Sequence, residues 1–441
     1  MNRHRAIGTL FCVVALVGAL LVGLLAPSAV AQAKKLSVAY MPHPIHEQQL
    51  KWMKKWGEAN GVEIKPTPIS YEVYVEKLTA SFLAKSQEYD IIWHNDDWGQ
   101  LWGAFMEPVD EVKALQLMDT KVLVDPAMLW PGPDKKKHPT AVPMLETLGI
   151  FFYRKDLIKS EEYPRTWADL VKTSQRLQKE GKVKWGYVGG MKYPHTWFTL
   201  LWSLWTNDCD LFSPYNERDN EAMAKNDWKS MLGDKCAREA VEFWWDAINT
   251  HKISPPGMVG YTRTEADAVF MAGDAFMTMN DTPLWGKYND PNASKVAGKV
   301  QMGAFPLGPS TTRKGVAWRA AWFWAIPKAI NPGQKTLAKQ LLNWIGETDE
   351  VQVDAWKATG GIPAVTRIQQ RLAKEDPLFL QVKTILIDAP FHIVPAYYFK
   401  QWPEVHATFS DTATKALTGK REDIGKVLTE GGKKLSEIMR R

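Results

Sequence analysis

Residues 35 to 95 change hydrophobic period from one segment to the next, and that alternation limits the fold more than any composition figure. "KLSVAY" (35–40) reads as a strand, and "EQQLKWMKKWGEANG" (47–61) carries Leu50, Met53 and Trp56 at helical spacing before stopping at Asn60-Gly61. "VEIKPTPIS" returns to extended character, and "VYVEKLTASFLAK" repeats the helical stripe through Val75, Leu78 and Phe82. "YDIIWHNDD" is a short apolar strand breaking into polar residues. Strand, helix, strand, helix, strand implies a parallel sheet with right-handed crossovers. Ligands of such sheets collect beyond the carboxyl ends of the strands, here in "MPHPIHE" and "WHNDDWGQLW".

A second α/β unit follows. "TWADL" predicts a helix capped by Thr166 and Asp169 and running to about Lys179, and "KWGYVGG" reads as a strand with a glycine turn. "TWFTLLWSLW" and "CAREAVEFWWDAINTHK" read as helices, and "EADAVFMAGDAFMTMN" as a helix passing into a strand. "VQMGAFPLGP" and "AWFWAIP" read as returning strands, and "GQKTLAKQLLNWIGE" as a further helix. With 441 residues, 45% apolar and 24% charged, the chain is globular and too long for one average domain, so two lobes are expected.

The start is of another kind. Arg3 and Arg5 precede an apolar run from Ile7 to Leu25 and the small residues of "APSAVAQAKK", the pattern of a secretory signal peptide over residues 1–33. An uncleaved membrane anchor is the alternative. Without those residues the chain carries 53 basic against 49 acidic side chains. That is too mild an excess for a nucleic-acid partner. Cys209 and Cys236 are then the remaining cysteines, and in an oxidising compartment they are expected to form one disulfide, with two buried free thiols as the alternative.

No phosphate loop, nucleophile elbow or dinucleotide fingerprint occurs. "HPIHE" brings His43, His46 and Glu47 close together, but the spacing of a zinc site is absent, so no metal and no cofactor is expected. His46 reads better as a hydrogen-bond partner of a small molecule. Asp96 and Asp97 read either as a pair gripping neighbouring hydroxyls or as a cap of the helix that follows. "VPMLETLGIFFYRKDL" (142–157) is an apolar strand that places a carboxylate, Glu146, and a hydroxyl, Thr147, where burial is costly unless they are bonded.

The ordered set "VPMLETLGIFFYRKDL", "YPRTWADLVK", "WGYVGG", "AVFMAGDAFMTMN", "FPLGPS", "AIPKAINPGQKTLAKQLLNWI" and "GGIP" resembles the family 1 extracellular solute-binding proteins of ABC importers, over about residues 35 to 435. The resemblance implies an α/β Venus-flytrap (periplasmic-binding-protein) fold, with two lobes of mostly parallel sheet flanked by helices and joined by hinge crossovers. The lobes would comprise 34–144 plus 300–346 and 150–298 plus 350–441, with crossovers near 145–149, 299 and 347–349. It further implies a monomer, periplasmic after cleavage of its leader, that is not an enzyme and delivers its solute to the permease subunits of the importer. Glu146 and Thr147 would then stand in the cleft at the hinge, unless Glu146 pairs with a cation across it.

Twenty-one tryptophans point to a sugar or polyol, whose apolar faces stack on rings while acids and amides take the hydroxyls. Trp98 and Trp102 in the first lobe, and Trp197, Trp202 and Trp285 in the second, lie near expected cleft loops. Trp318 and Arg319 fall in "GVAWRAAW", where relatives have paired glycines, and Ala389 stands where sugar- and polyol-binding relatives have an arginine. Trp244, Trp245, Trp324 and Trp344 read as core. A secreted glycosidase using Asp96 or Asp97 with Glu146 is the rival reading, and a binding protein linked to a chemoreceptor a weaker third.

Overall fold

The computed structural model of the protein describes residues 34–118, 129–131, 134–213, 227–312, 317–387, 391–392 and 399–441. The expected leader, Ala389, residues 214–226 between the cysteines, and the side chains of Thr147, Trp318 and Arg319 lie outside what is described. β1 (Lys34–Tyr40), α1 (Pro44–Asn60), β2 (Val62–Pro68), α2 (Tyr71–Leu83) and β3 (Ile91–Asn95) follow one another as the periodicity predicts. β1 pairs in parallel with β2 and with β3, because each connecting helix carries the chain back across the sheet. α1 buries Leu50, Met53 and Trp56. It ends at Gly61, whose φ of 63° is a left-handed conformation that glycine adopts without a Cβ penalty.

The main sheet also contains β4 (Ala141–Arg154), β5 (Trp185–Val188), β6 (Ala275–Asp281), β7 (Val300–Gly303), β8 (Ala317–Ala325), β9 (Ile362–Pro363) and the two-residue strand Phe391–His392, which pairs with β8. The main path of the sheet runs β2-β1-β3-β8-β4-β6-β5, and β7 and β9 also pair with β4. β4 changes partners at Gly149, which lies opposite Trp318 of β8 and opposite Asp281 of β6. Its first half therefore completes the sheet of β1 to β3 through β8, and its second half belongs with β5, β6 and β7. These are the two lobes, and β4 and β8 are the strands that cross between them. β9 lies antiparallel to β4 at Leu145 and Glu146 and adds a third strand at the crossing. It is reached through Gly360, φ 89°, where an added Cβ would sit 2.5 Å from the Thr282 carbonyl oxygen.

The second lobe is covered by α3 (Trp167–Lys179), α4 (Thr196–Trp205), α5 (Lys235–Asn249) and α6 (Arg263–Met271). α3 begins on the reciprocal cap of Thr166 and Asp169 that its sequence predicts. Cys209 and Cys236 form the expected disulfide, with Cα atoms 5.6 Å apart, and tie the segment after α4 to the start of α5. The first lobe is covered by α1, α2, α7 (Pro332–Glu347) and α8 (Asp349–Asp354). α9 (Thr366–Glu375) lies behind the crossing, and α10 (Trp402–Thr418) and α11 (Ile424–Met439) pack on each other and on α5.

Two segments pack differently from the expected division of the chain. Residues 300–312 stay with the second lobe: β7 pairs with β4, the Tyr163 hydroxyl donates to the Ala304 carbonyl, and the Ser310 N–H donates to Asn207 at 2.8 Å. α8 stays with the first lobe, where the Asp354 carboxylate accepts from Gln48 and Trp52 of α1 at 2.8 Å each. Trp244 and Trp324 are core residues as expected, whereas Trp245 and Trp344 are half-buried at the surface.

Candidate functional site

A cavity of ≈ 270 Å³ lies between the lobes, just below the common range for small-molecule sites, about 300–1,000 Å³. The first lobe walls it with strand ends. Met41 to Pro44 follow β1, Ser70 to Glu72 open α2, Trp93 and Asn95 close β3, and Ala320 and Trp322 come from β8. The second lobe supplies His195, Trp197 and Phe198 from the start of α4, Arg263, Thr264 and Asp267 from α6, and Asp281, Leu284 and Lys287 from the end of β6 and just beyond. The cavity thus sits at the carboxyl ends of β1, β3 and β6, where parallel strands present their ligand-binding edges.

Rings make most of the wall. Trp322 packs edge-on to His43 at 4.9 Å and to Trp93 at 5.2 Å, and Tyr71 of the first lobe meets His195 of the second at 5.7 Å. Burial pushes the His43 imidazole well below its ordinary pKa, helped by His46, Arg263 and Lys287, and it pushes His195 down to about 3, helped by Arg263 and His406. Both rings are therefore neutral at physiological pH.

The charges of the second lobe are neutralised in pairs. Arg263 and Asp267 lie four residues apart on one face of α6. The Arg263 guanidinium donates to Asp281 at 2.7 Å and to Asn280, and lies over the Phe198 ring at 4.1 Å. Asp267 accepts from Asn280 at 2.7 Å, from the Tyr288 hydroxyl at 2.5 Å and from Lys287 at 3.3 Å. Burial raises the Asp281 carboxyl above its ordinary value, and Arg263 opposes that rise. The result is a site with polar reach and no net charge from these four side chains.

Of the residues singled out from sequence, Trp197 lines the cavity, as does His43 of the "HPIHE" stretch. The other described ones are placed elsewhere. His46 is fully buried behind the wall, stacked on Trp322 at 5.1 Å and bonded through Nδ1 to the Met41 carbonyl at 2.6 Å; burial lowers its pKa to about 3. Trp98 and Trp102 pack with Tyr74 and Trp93 in the first-lobe core, where an aromatic cluster under β3 takes them away from the cleft. Trp202 is a second-lobe core residue, fully buried against Phe151, Trp244 and Phe305, because it lies on the face of α4 turned to the sheet. Trp285 is half-buried, and an added Cβ on Gly360 would meet it at 2.6 Å.

Glu146 is 1% exposed and accepts a 3.0 Å bond from Gln369 of α9, which covers the crossing from behind. The backbones of Trp318 and Arg319 lie opposite Gly149 and Leu148 at that crossing. Asp96 and Asp97 are buried on the turn after β3, beside the cavity residue Asn95 and outside the lining itself. No pair drawn from Asp96, Asp97 and Glu146 therefore flanks the cavity, as a glycosidase would require. Arg263, Asp267, Asp281 and Lys287 are absent from the sequence-based set. Their helix and strand read as scaffold, and the one local signal was the Arg-x-x-x-Asp spacing on α6.

The profile of the family described as bacterial extracellular solute-binding protein matches residues 44–352. A probable ABC transporter-binding protein of Deinococcus radiodurans is 24% identical over 279 residues, and the match spans 62% of each chain. The maltose-bound MalE3 of T. maritima superimposes with a TM-score of 0.76 at 22% identity, covering 91% of this chain and 100% of that one. An ABC transporter solute-binding protein of Agrobacterium radiobacter in complex with ribitol gives 0.73 at 18% identity, covering 92% and 98%. One of Agrobacterium vitis with bound D-mannitol gives 0.69 at 19%, covering 92% and 99%.

Proposed function

The chain belongs to the bacterial extracellular solute-binding proteins, and from that premise we propose that it captures one uncharged sugar or polyol between its lobes and delivers it to the permease of an ABC importer. The observation that carries the reading is the cavity wall, where the side chains of Trp322, Trp93, Trp197 and Phe198 stand beside an arginine and a lysine already paired with carboxylates. A wall of aromatic rings suits the apolar face of a sugar. Fixed polar groups suit its hydroxyls, and paired charges offer nothing unmet to an anion. The volume favours a single ring or an open-chain polyol over a long oligosaccharide.

The family is one of binding proteins, and the relatives that share the fold are described with maltose, ribitol and D-mannitol. Among the described residues no helix is long and apolar enough to cross a membrane. The proposed setting is periplasmic after removal of the leader, as a monomer partnered by the permease.

A thermal-shift panel of neutral sugars, polyols, sugar acids and sugar phosphates tests the reading. A neutral solute at 100 times its Kd is expected to stabilise the protein by about 2.7 kcal/mol. A panel in which only phosphorylated or acidic sugars stabilise refutes the uncharged class.

A further inference from the structure

Asp97 joins the lobes. It lies on the turn after β3, its Oδ1 accepts from Asn95 at 2.7 Å, and its Oδ2 accepts from Trp402 Nε1 at 2.9 Å. Trp402 opens α10, which packs on α4, α5 and α11 of the second lobe, and its indole lies flat on His406 at 5.2 Å. The bond therefore spans the mouth between a first-lobe strand end and a second-lobe helix start.

Beside it, the Asp96 carboxylate accepts the N–H of Asp97 at 3.0 Å and the N–H of Ala321 of β8 at 3.4 Å. Both carboxylates are buried, at 4% and 7% exposure, and among the described residues neither is paired with a lysine or arginine. The titratable groups around them are Tyr71 of α2, His94 of β3, Tyr193 and His195 ahead of α4, and His406 behind Trp402. Arg263 is bonded to Asp281, and Glu404 of α10 turns outward to Arg441. Two adjacent carboxylates with no cation cannot both stay charged at low cost once water is excluded.

We propose that Asp97 and Trp402 form the latch of the closed state, and that closing the lobes takes up a proton on the Asp96–Asp97 pair. This rests on the reading of the cavity as a cleft that closes on a solute. Burial drives both carboxyls upward, Asp97 to about 6 and Asp96, beside its charged neighbour, well above the usual range. With the lobes apart, both meet water and return to an ordinary value near ~3.9. The closed form is then the better proton binder, so acid favours it through this pair. His43, His195 and His406 lie in the same contact and are pushed down by burial, so they release protons on closure. Their contribution has the opposite sign and is common to wild type and carboxylate variants.

The test compares wild type with Asp96→Asn/Asp97→Asn. Each protein carries spin labels at exposed Val73→Cys of α2 and Lys433→Cys of α11, and the interlobe distance is followed from pH 8 to pH 5 without solute. The amides imitate the protonated pair. From Asp97 alone the variant is expected to be more closed at pH 8 by about 100-fold in the closing equilibrium, shrinking to about tenfold at pH 5, and Asp96 enlarges the difference at both pH values. Trp402→Phe, which keeps the ring and removes the donor, is expected to open the lobes at both pH values. A double variant that is equally or less closed at pH 8, or a difference that does not shrink with acid, overturns the proposal. Maltose, ribitol and D-mannitol titrated into wild type at pH 7 report separately on the solute reading. Failure of these and of every other neutral sugar and polyol in the thermal-shift panel to bind, beside intact pH-dependent closure, would remove that reading and leave the latch standing.

Discussion

Arg263→Met keeps an unbranched apolar stem and removes the guanidinium, which bonds Asp281 and Asn280 and lies over the Phe198 ring. Asp281 then loses a 2.7 Å charge-assisted bond in a place where its side chain is 6% exposed. Removing one partner of a buried ion pair costs about 3–5 kcal/mol because the other charge is stranded. Arg263 is itself 16% exposed, so the lower end, about 3 kcal/mol, is expected at pH 7.5. The loss should depend on pH with a defined sign. Burial already raises the Asp281 carboxyl, Arg263 opposes the rise, and without it the folded-state pKa climbs further. A carboxyl whose folded pKa is raised destabilises the fold above that pKa, and the penalty fades as pH falls through it toward the unfolded value. The deficit of the variant should therefore shrink below its new Asp281 pKa, by up to about 1.4 kcal/mol per pH unit. Urea melts followed by tryptophan emission at pH 7.5, 6.5 and 5.5 measure it. A deficit below about 1 kcal/mol, or one equal at all three pH values, refutes the paired-charge account of the cavity.

The two tryptophans of α4 should separate function from stability. Trp197→Ala is expected to weaken solute binding more than it lowers stability, whereas Trp202→Ala should cost about 3–5 kcal/mol in a denaturant melt and leave the affinity of its folded fraction unchanged. Calorimetric titration beside urea melts distinguishes them, and the reverse ranking would place the cavity wall wrongly. For Cys209 and Cys236, separated by 27 residues, reduction should lower stability by roughly 3–4 kcal/mol in the chain-entropy treatment. Two free thiols titrated in denatured, unreduced protein would reject the bridge.

The scaffold was legible because it is written in period and punctuation. The stripe of Leu50, Met53 and Trp56, the stop at Gly61 and the Thr166–Asp169 cap each depend on neighbours within a few residues. The second-lobe core and cavity were less so. Trp197 and Trp202 sit on one helix in "TWFTLLWSLW", apolar on every side, and only packing against Phe151 and Phe305 tells which ring faces the sheet. The Arg263–Asp281 pair joins a helix start to a strand end, and no local pattern links them. Glu146 stood out as a carboxylate in an apolar strand, but the partner seen for it, Gln369, lies 223 residues away. Asp96 and Asp97 invited two readings, and their bonds go to Ala321 and Trp402 instead of to a neighbouring turn alone.

The crossing of β4 and β8 also sets the order in which the molecule can be assembled. β3 gains its second neighbour only when β8 arrives, with Asp96 and Ala321 meeting across 225 positions of chain. Until then the three-stranded β2-β1-β3 piece has an open edge, a template for pairing with other chains. Such distant pairing is slow to form, because the intervening loop must close before the contacts repay it. A chain cut anywhere before residue 325 would leave the first lobe without its central strand and β4 without its companion across the crossing. The lobes are therefore separate in space but not in synthesis, and neither can be excised as a continuous stretch of sequence.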